Sequence, residues 1–206
     1  MTKKILIAAA GIVLLAAGGL IAFRSVSAEK AAEAQAAQVS PKSAESLQIK
    51  IDAIKKAFKM PDRAPGASHV ELSEAELESY VLYSLAADIP ARIDSFDVQL
   101  GQDTVAADTQ LTFDAHSTGN PVVDTFIGGT HNLLLKGKLV AQQGRGKFDL
   151  EEVHVDGIPV PTILIQALLD RYVKPKYPDV DFKEPFDMPW GIEELKLESG
   201  KATVVY

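Results

Sequence analysis

Histidine is the side chain best suited to metal binding or acid–base chemistry in this chain, which has no cysteine. The four histidines are His69, His116, His131 and His154. No two of them have the i, i+4 spacing of a helix or the i, i+2 spacing of a strand that brings two ligands to one metal ion. The sequence therefore predicts neither a metal site nor a bound cofactor.

Paired carboxylates are the second candidate for chemistry, because two acids can share the roles of general acid and general base. The pairs are Asp94 with Asp97, Glu151 with Glu152, and Asp179 with Asp181. Adjacent residues on a strand point to opposite faces, and a chain with 28 acids places such pairs on its wet faces. The sequence has no serine nucleophile elbow, no phosphate-binding glycine loop and no dinucleotide fingerprint. We therefore expect a protein without catalytic residues, not an enzyme.

Apolar residues gather in a segment that should only connect two strands. Val122, Val123, Phe126 and Ile127 lie within residues 120–129. Loops seldom expose such a group without a reason, and two interpretations stay open. The segment is either a short helix or strand packed on the domain, or a membrane-facing apolar lip through which a hydrocarbon chain enters a groove.

The charge of the chain limits its class of partner. The formal net charge is -7, and residues 1–28 contain three basic and no acidic residues, so the rest of the chain carries -10. An acidic protein repels nucleic acid and gains nothing from non-specific attraction to anionic lipid headgroups. We therefore expect no nucleic-acid partner, and any contact with lipid should be apolar or very local.

The N-terminus has the pattern of a membrane-directing segment. Two lysines precede nineteen uncharged, mostly apolar residues, 5–23. About 20 such residues cross a bilayer as a helix, and the basic start favours a cytoplasmic N-terminus. Residues 1–28 are therefore predicted to form a single-pass transmembrane helix in the cytoplasmic (inner) membrane. A signal peptide cleaved after Ala28 is the alternative, which would release the domain. Both place the domain on the extracytoplasmic, periplasmic side.

Residues 29–66 are predicted to link this segment to one domain, residues 67–206. Residues 29–46 are mostly Ala, Glu, Gln, Lys and Ser, a composition typical of a helical or disordered stalk. An apolar stripe follows, formed by Leu47, Ile51, Ile54 and Phe58. Its spacing predicts an amphipathic helix, which either packs on the domain or lies on a membrane or a partner.

The next helix has a capping box. The hydroxyl of Ser73 and the carboxylate of Glu76 are placed to pair with free N–H groups at the helix start. The helix should run to about Ala87. Its apolar face is predicted to consist of Leu77, Tyr80, Val81 and Leu85. Glu74, Glu76 and Glu78 are expected to form a solvated first turn, which the helix dipole favours.

Alternation of apolar and polar residues predicts two hairpins, over residues 93–114 and 133–155. In the second strand of the second hairpin, the inward positions are even-numbered before Glu151 (Phe148, Leu150) and odd-numbered after Glu152 (Val153, Val155). This change of phase predicts a β-bulge at these two residues. Because bulges bend strands, we expect a curved sheet.

The segment from Pro161 to Val173 is predicted to be the most apolar helix outside the N-terminus. Proline suits a first helical turn, and Pro175 ends the helix because the residue before a proline avoids the α region. Further prolines predict a stiff crossing to a last hairpin, residues 192–206. The predicted fold is α+β, a curved antiparallel β-sheet wrapped around this long helix of the C-terminal half.

This order of elements resembles a known group of proteins over about Val70 to Tyr206. The likeness is carried by residues 72–77 (LSEAEL), 153–161 (VHVDGIPVP) and 195–201 (LKLESGK). The chain is similar to the bacterial LmeA-like and YceB-like envelope proteins with a tubular lipid-binding (TULIP-type) fold. The resemblance implies binding of a phospholipid or another acyl chain in the periplasm. Because this chain is shorter than larger members, an open groove or a filled core is favoured over a full tunnel.

With this resemblance, the second hairpin and the long helix supply the predicted lipid-binding walls. They are Leu133, Leu135, Gly137, Leu139, Phe148, Leu164, Leu168 and Tyr172. Gly137 is expected to leave space on the inward face that a side chain would otherwise fill. The alternative function is a ligand-free scaffold or protein-interaction module of the envelope, which its tether presents to a partner at high local concentration.

Overall fold

A computed structural model describes residues 39–60, 62–86, 91–113, 128–161, 163 and 184–206. They form two α-helices and one nine-stranded sheet. The helices are α1 (Pro41–Phe58) and α2 (Glu74–Tyr80), which a π-helical turn (Val81–Leu85) continues. The strands are β1 (His69–Ser73), β2 (Arg92–Leu100), β3 (Thr104–Phe113), β4 (Gly129–Gln142), β5 (Arg145–Val155), β6 (Ile158–Pro159), β7 (Phe186–Asp187), β8 (Glu194–Glu198) and β9 (Lys201–Val205). The predicted α+β class with an antiparallel sheet is confirmed.

The sheet has an irregular order. Its path is β1-β9-β8-β4-β3-β2, and β5 lies on the other side of β4, where it also pairs with β6 and β7. β8 meets β4 at Ala141, whose neighbour on the opposite side is Gly146 of β5. β8 therefore lies on the side of β4 that β3 occupies, and it continues the sheet beyond the end of β3.

All three predicted hairpins form, as β2–β3, β4–β5 and β8–β9. The predicted bulge is also present. Leu150 opposes Gly137 and Glu152 opposes Lys136, so Glu151 is the extra residue of β5. Phe148 and Leu150 before the bulge, and Val153 after it, therefore face the same side of the sheet.

The helix α1 packs on the domain, which is the first of its two predicted interpretations. Ser40 caps it by accepting a hydrogen bond from the Ser43 N–H at 3.2 Å, and a proline occupies its first turn. Leu47 and Ile54 are each 3% exposed, but Phe58, at the end of the predicted stripe, is 54% exposed. Ile51 between them is partly buried. The helix thus packs the first three positions of the stripe on the domain, and the last position lies open.

The main core lies between the two helices and the sheet. The predicted apolar face of the second helix is confirmed, because Tyr80, Val81 and Leu85 are buried and Leu77 packs against them. The buried residues of the main core are Leu47, Tyr80, Val81, Leu85, Phe96, Val98, Leu100, Val105, Ala107, Phe148, Leu197 and Ala202. The first described helix and the last hairpin thus contribute to one core.

Several predicted segments lie wholly or largely outside the described residues. They are the membrane anchor, the first part of the stalk (29–38), the apolar lip, the long helix that starts at residue 161 (apart from Pro161 and Ile163) and the proline-rich crossing up to residue 183, which contains the acid pair Asp179 and Asp181. Within the described ranges, no helix has both the length and the apolar character needed to cross a membrane.

Candidate functional site

The glutamates of α2 do not form the solvated first turn that the sequence predicts. Glu76 is 9% exposed and Glu78 is 3% exposed. Glu78 accepts a hydrogen bond from the Val98 N–H at 2.9 Å, and Glu74 accepts one from the Leu100 N–H at 2.6 Å. β2 is a terminal strand of the sheet path, so these carboxylates occupy backbone donors that an edge strand would otherwise offer to another chain.

Glu76 joins α1, α2 and β1. Its carboxylate accepts hydrogen bonds from Ser46 Oγ at 2.6 Å, from Lys50 Nζ at 2.7 Å and from the Ser73 N–H at 3.0 Å. The capping box is therefore confirmed, and it carries two further partners. Lys50 also donates to the backbone oxygen of Glu71 at 2.7 Å, so α1 is fastened to β1 as well as to α2.

An open cleft of about 660 Å³ lies along this network. Its lining contains serines beside the carboxylate of Glu76, so a serine nucleophile with Glu76 as its base has to be considered. Burial alone would raise the pKa of Glu76, but the bonds from Lys50, Ser46 and Ser73 outweigh it and hold the pKa below its usual value. A carboxylate with a lowered pKa is a weak base, and a serine needs a base to become a nucleophile. The network therefore fastens two helices together and does not favour catalysis.

The acid pair at the bulge does not bring two carboxylates to one reacting centre. Glu151 and Glu152 are both exposed, and their nearest cations are Lys138 at 3.1 Å and Lys136 at 3.8 Å. Exposed ion pairs of this kind contribute little to stability. In the part of the chain that the structure describes, no three His, Cys, Asp or Glu residues are arranged to hold a metal ion.

The predicted lipid-binding residues are divided between two apolar groups. Leu139 and Phe148 pack in the main core, whereas Leu133 and Leu135 do not. A Cβ built on Gly137 would lie 2.5 Å from Cζ of Phe148, so the phenyl ring already fills the space that the glycine leaves. Leu164, Leu168, Tyr172, Val122, Val123, Phe126 and Ile127 lie outside the described residues.

Leu133 and Leu135 belong to a second apolar group, which we call the β4–β5 cluster. Leu135 and Val153 oppose each other across the two strands and are 3% and 7% exposed. The partly buried members are Leu133, Leu150 and Val160. Of these residues, Val153, Leu150 and Val160 were not among the predicted walls. The change of phase after Glu151 is the sequence signal that turns Val153 inward.

A cleft of about 380 Å³ adjoins the β4–β5 cluster. Its apolar lining is formed by Leu150, Val153, Pro159 and Val160, and its polar lining by Glu151, Glu152 and His154. Ligand pockets usually measure about 300–1,000 Å³, so the cleft is at the small end of this range. Its size suits part of a ligand such as one hydrocarbon chain.

A polar pair lies at the end of the β4–β5 cluster. His131 is two residues before Leu133 on β4 and so faces the same side of the sheet. Its Nδ1 atom is 2.8 Å from Oδ2 of Asp156, and Oδ1 of Asp156 accepts a hydrogen bond from the Asn132 N–H at 2.8 Å. These two bonds hold the pKa of Asp156 below its usual value.

The other ring nitrogen of His131, Nε2, is buried and has no hydrogen-bond partner among the described residues. A search for metal-ligand spacing misses the His131–Asp156 pair, because its members are 25 residues apart. The signal for it is the turn Asp156–Gly157, whose φ angles of 53° and 77° are those of a tight hairpin turn.

Comparison with protein-family models, with curated proteins and with solved structures finds no match to this chain.

Proposed function

We propose that the protein is a membrane-tethered, extracytoplasmic module that binds a phospholipid or another acyl-chain ligand in an apolar groove beside β4 and β5. The observation that carries the proposal is the β4–β5 cluster, whose buried members, Leu135 and Val153, are distinct from those of the main core. The cluster adjoins a cleft of about 380 Å³. Apolar walls with a few convergent polar groups are typical of small-molecule sites. The cleft provides such walls, and its polar lining consists of Glu151, Glu152 and His154. The His131–Asp156 pair lies nearby, one position beyond Leu133 and Val155.

The contacts of α2 support a curved sheet. β1 leads directly into α2, and α2 bonds to β2 through Glu74 and Glu78. A helix of seven residues is roughly 10 Å long, so the two terminal strands of the sheet path lie near each other. The Gly200 N–H also donates to the Leu100 oxygen at 3.2 Å, which brings the β8–β9 turn to β2. The bend of the sheet supports the TULIP-type resemblance in its curved antiparallel sheet, whereas the long helix of that resemblance lies outside the described residues.

The proposed groove is smaller than the one the sequence predicts. Gly137, Leu139 and Phe148 are assigned to the main core, because the phenyl ring packs over the glycine. The apolar lining of the proposed groove then consists of Leu150, Val153, Pro159 and Val160. Of the predicted walls, Leu133 and Leu135 pack beside it in the β4–β5 cluster. An open groove of this extent is consistent with a ligand that buries one chain and leaves the rest outside.

The proposed tether is the apolar segment 5–23. Even when fully extended, the 17 residues between it and α1 span at most about 60 Å, so the domain stays near the membrane surface. The charge of -10 outside residues 1–28 gives no attraction to anionic headgroups. In this proposal the tether supplies proximity to lipid and the groove supplies affinity.

Photo-crosslinking of the full-length protein tests the proposal. The protein is placed in phosphatidylcholine vesicles that contain a trace of phosphatidylcholine with a diazirine at the end of one acyl chain. After illumination, mass spectrometry should find label on the anchor peptide and on the peptides that contain Leu135 and Val153. In a Leu133→Trp variant the indole fills the groove, so label on these two peptides should fall severalfold. Label on the anchor peptide should not change, and it serves as the internal reference.

Val140→Trp is the matched control, because Val140 is 42% exposed on the opposite face of β4. It should leave the labelling pattern as it is in the wild type. If Leu133 were instead packed in a closed core, the tryptophan would cost roughly 1 to 3 kcal/mol of stability with no label to lose. Wild-type label confined to the anchor peptide would reject lipid binding and favour the ligand-free interaction module.

A further inference from the structure

The His131–Asp156 pair is held rigidly at the end of the β4–β5 cluster. The Asp156 N–H donates to the Asn132 oxygen, and the Asn132 N–H donates back to the Asp156 carboxylate, both at 2.8 Å. The carboxylate therefore has one oxygen committed to the backbone and the other to His131. Val155, which precedes Asp156, opposes Leu133 of the cluster, so the pair lies one position beyond the apolar wall.

The carboxylate determines which ring nitrogen of His131 carries the proton. An ionised carboxylate can only accept hydrogen bonds, so the Nδ1–H group of His131 donates to Asp156. In the neutral ring, Nε2 is then a lone-pair acceptor. This atom is buried and has no partner among the described residues, whereas buried polar groups in proteins are nearly always paired. The partner that it lacks is a hydrogen-bond donor.

We propose that Nε2 of His131 recognises the head of the acyl ligand by accepting a hydrogen bond from a hydroxyl group, such as that of a glycerol unit, with Asp156 as the positioning residue. This inference rests on the proposed function and names the chemical class of its ligand. A carboxylate or phosphate head offers only acceptors to an acceptor nitrogen, and the neighbouring Asp156 repels it. A glycerol hydroxyl donates one hydrogen bond and brings no charge into an apolar site.

Two probes with the same chain and different heads test the proposal on the full-length protein. Monoolein carries two glycerol hydroxyls, whereas methyl oleate carries none. The affinities of both probes are measured by displacement of a fluorescent acyl ester at about pH 8. The wild type should bind monoolein about fivefold to tenfold more tightly than methyl oleate, which is the value of one net hydrogen bond.

Two variants separate recognition from packing. His131→Phe keeps a ring of similar size but removes the acceptor, so the affinity for monoolein should fall to that for methyl oleate. The affinity for methyl oleate should be the same as in the wild type. In Asp156→Asn, the amide oxygen can keep the Asn132 N–H while the amide NH₂ turns to His131 Nδ1. The ring proton must then move to Nε2, which becomes a donor. Methyl oleate has an acceptor carbonyl, so it should bind Asp156→Asn more tightly than it binds the wild type. This result tests the proposal independently, even if His131→Phe fails to fold.

His69→Phe is the matched control, because His69 is exposed on β1, a terminal strand of the sheet path. It should keep the wild-type preference for monoolein. An unchanged preference in both His131→Phe and Asp156→Asn would overturn the inference and leave the proposed function standing. Absence of binding by both probes in the wild type would overturn the proposed function and this inference with it.

Discussion

Among single residues, Glu76 makes the stability of this protein depend on pH. Its folded pKa is lower than the ordinary value of 4.5, so its contribution is fully present above that value and is lost as the pH falls through the folded pKa. Glu76→Gln should lower the free energy of unfolding by roughly 1 to 3 kcal/mol near neutral pH, because charge-assisted bonds are lost. The difference from the wild type should shrink toward zero as the pH falls through the folded pKa of Glu76.

Urea unfolding of both proteins between neutral pH and about pH 3 measures this difference. Glu45→Gln is the control, since Glu45 is an exposed acid on the same helix, α1, as Ser46 and Lys50. Its effect should be small throughout. A difference for Glu76→Gln that stays the same from neutral to acid pH would mean that the ionised carboxylate does not fasten α1 to α2.

The glutamates of α2 show which contacts of single residues can be predicted from the sequence. The capping box was predictable, because Ser73 and Glu76 are close in the chain and the motif is local. The bonds of Glu74 and Glu78 to β2 were not, because their partners Leu100 and Val98 lie on a strand about twenty or more residues away. A glutamate near a helix start has the same local pattern whether it faces water or the edge of a strand.

Among the elements, the bulge of β5 provides a prediction about register. Deletion of Glu151 leaves Leu150 opposite Gly137 and Glu152 opposite Lys136, so every other side chain keeps its face. The deletion removes an exposed ion pair with a lysine, which is worth at most about 1 kcal/mol. We therefore expect the variant to fold, with a urea midpoint close to that of the wild type.

Deletion of Asp149 is the matched comparison, because it also removes an exposed acid from β5. In a regular ladder it would turn Leu150 to solvent and Glu151 toward the core, so the urea midpoint should fall far below that of the first deletion. Similar midpoints for both deletions would show that β5 does not depend on the assigned register. A loss of folding in the first deletion alone would show that the bulge is required for the bend of the sheet.

The elements also show where periodicity succeeds and fails. The bulge at Glu151 was predictable, because several apolar positions on each side fix the two phases. A second bulge lies at Asp94, since Ile93 opposes Leu111 and Ser95 opposes Gln110. Ile93 is the only apolar residue of β2 before that shift, and one apolar residue does not define a phase of alternation. The π-helical turn Val81–Leu85 was likewise hidden, because its apolar residues fit the ordinary helical period.

For the whole molecule, the pairing of strands that are far apart in the chain could not be predicted from the sequence. The three hairpins were predictable, because each joins neighbours in the chain through a turn. The strand β1 was not, because its partner β9 lies about 130 residues away and its five residues are too few to establish an alternation. The site was affected in the same way, since the assignment of Phe148 to the main core depends on which helices cover the sheet.

The arrangement of the whole molecule across a membrane provides the last prediction. Nineteen uncharged residues behind two lysines favour a cytoplasmic N-terminus and an exported domain. A reporter enzyme that is active only after export, fused after Tyr206, should be active in cells. Replacing Leu14 and Leu15 by arginine should abolish that activity, because charges at the centre of such a helix each cost about 2.5–3.5 kcal/mol on insertion scales.

Fractionation and N-terminal sequencing of the fusion then distinguish an anchored segment from a cleaved one. An anchored protein stays with membranes and keeps its N-terminus, whereas a cleaved protein begins at Glu29. Activity of a cytoplasm-only reporter at Tyr206 would contradict the exported topology, and it would remove the membrane surface from which the proposed groove takes its ligand.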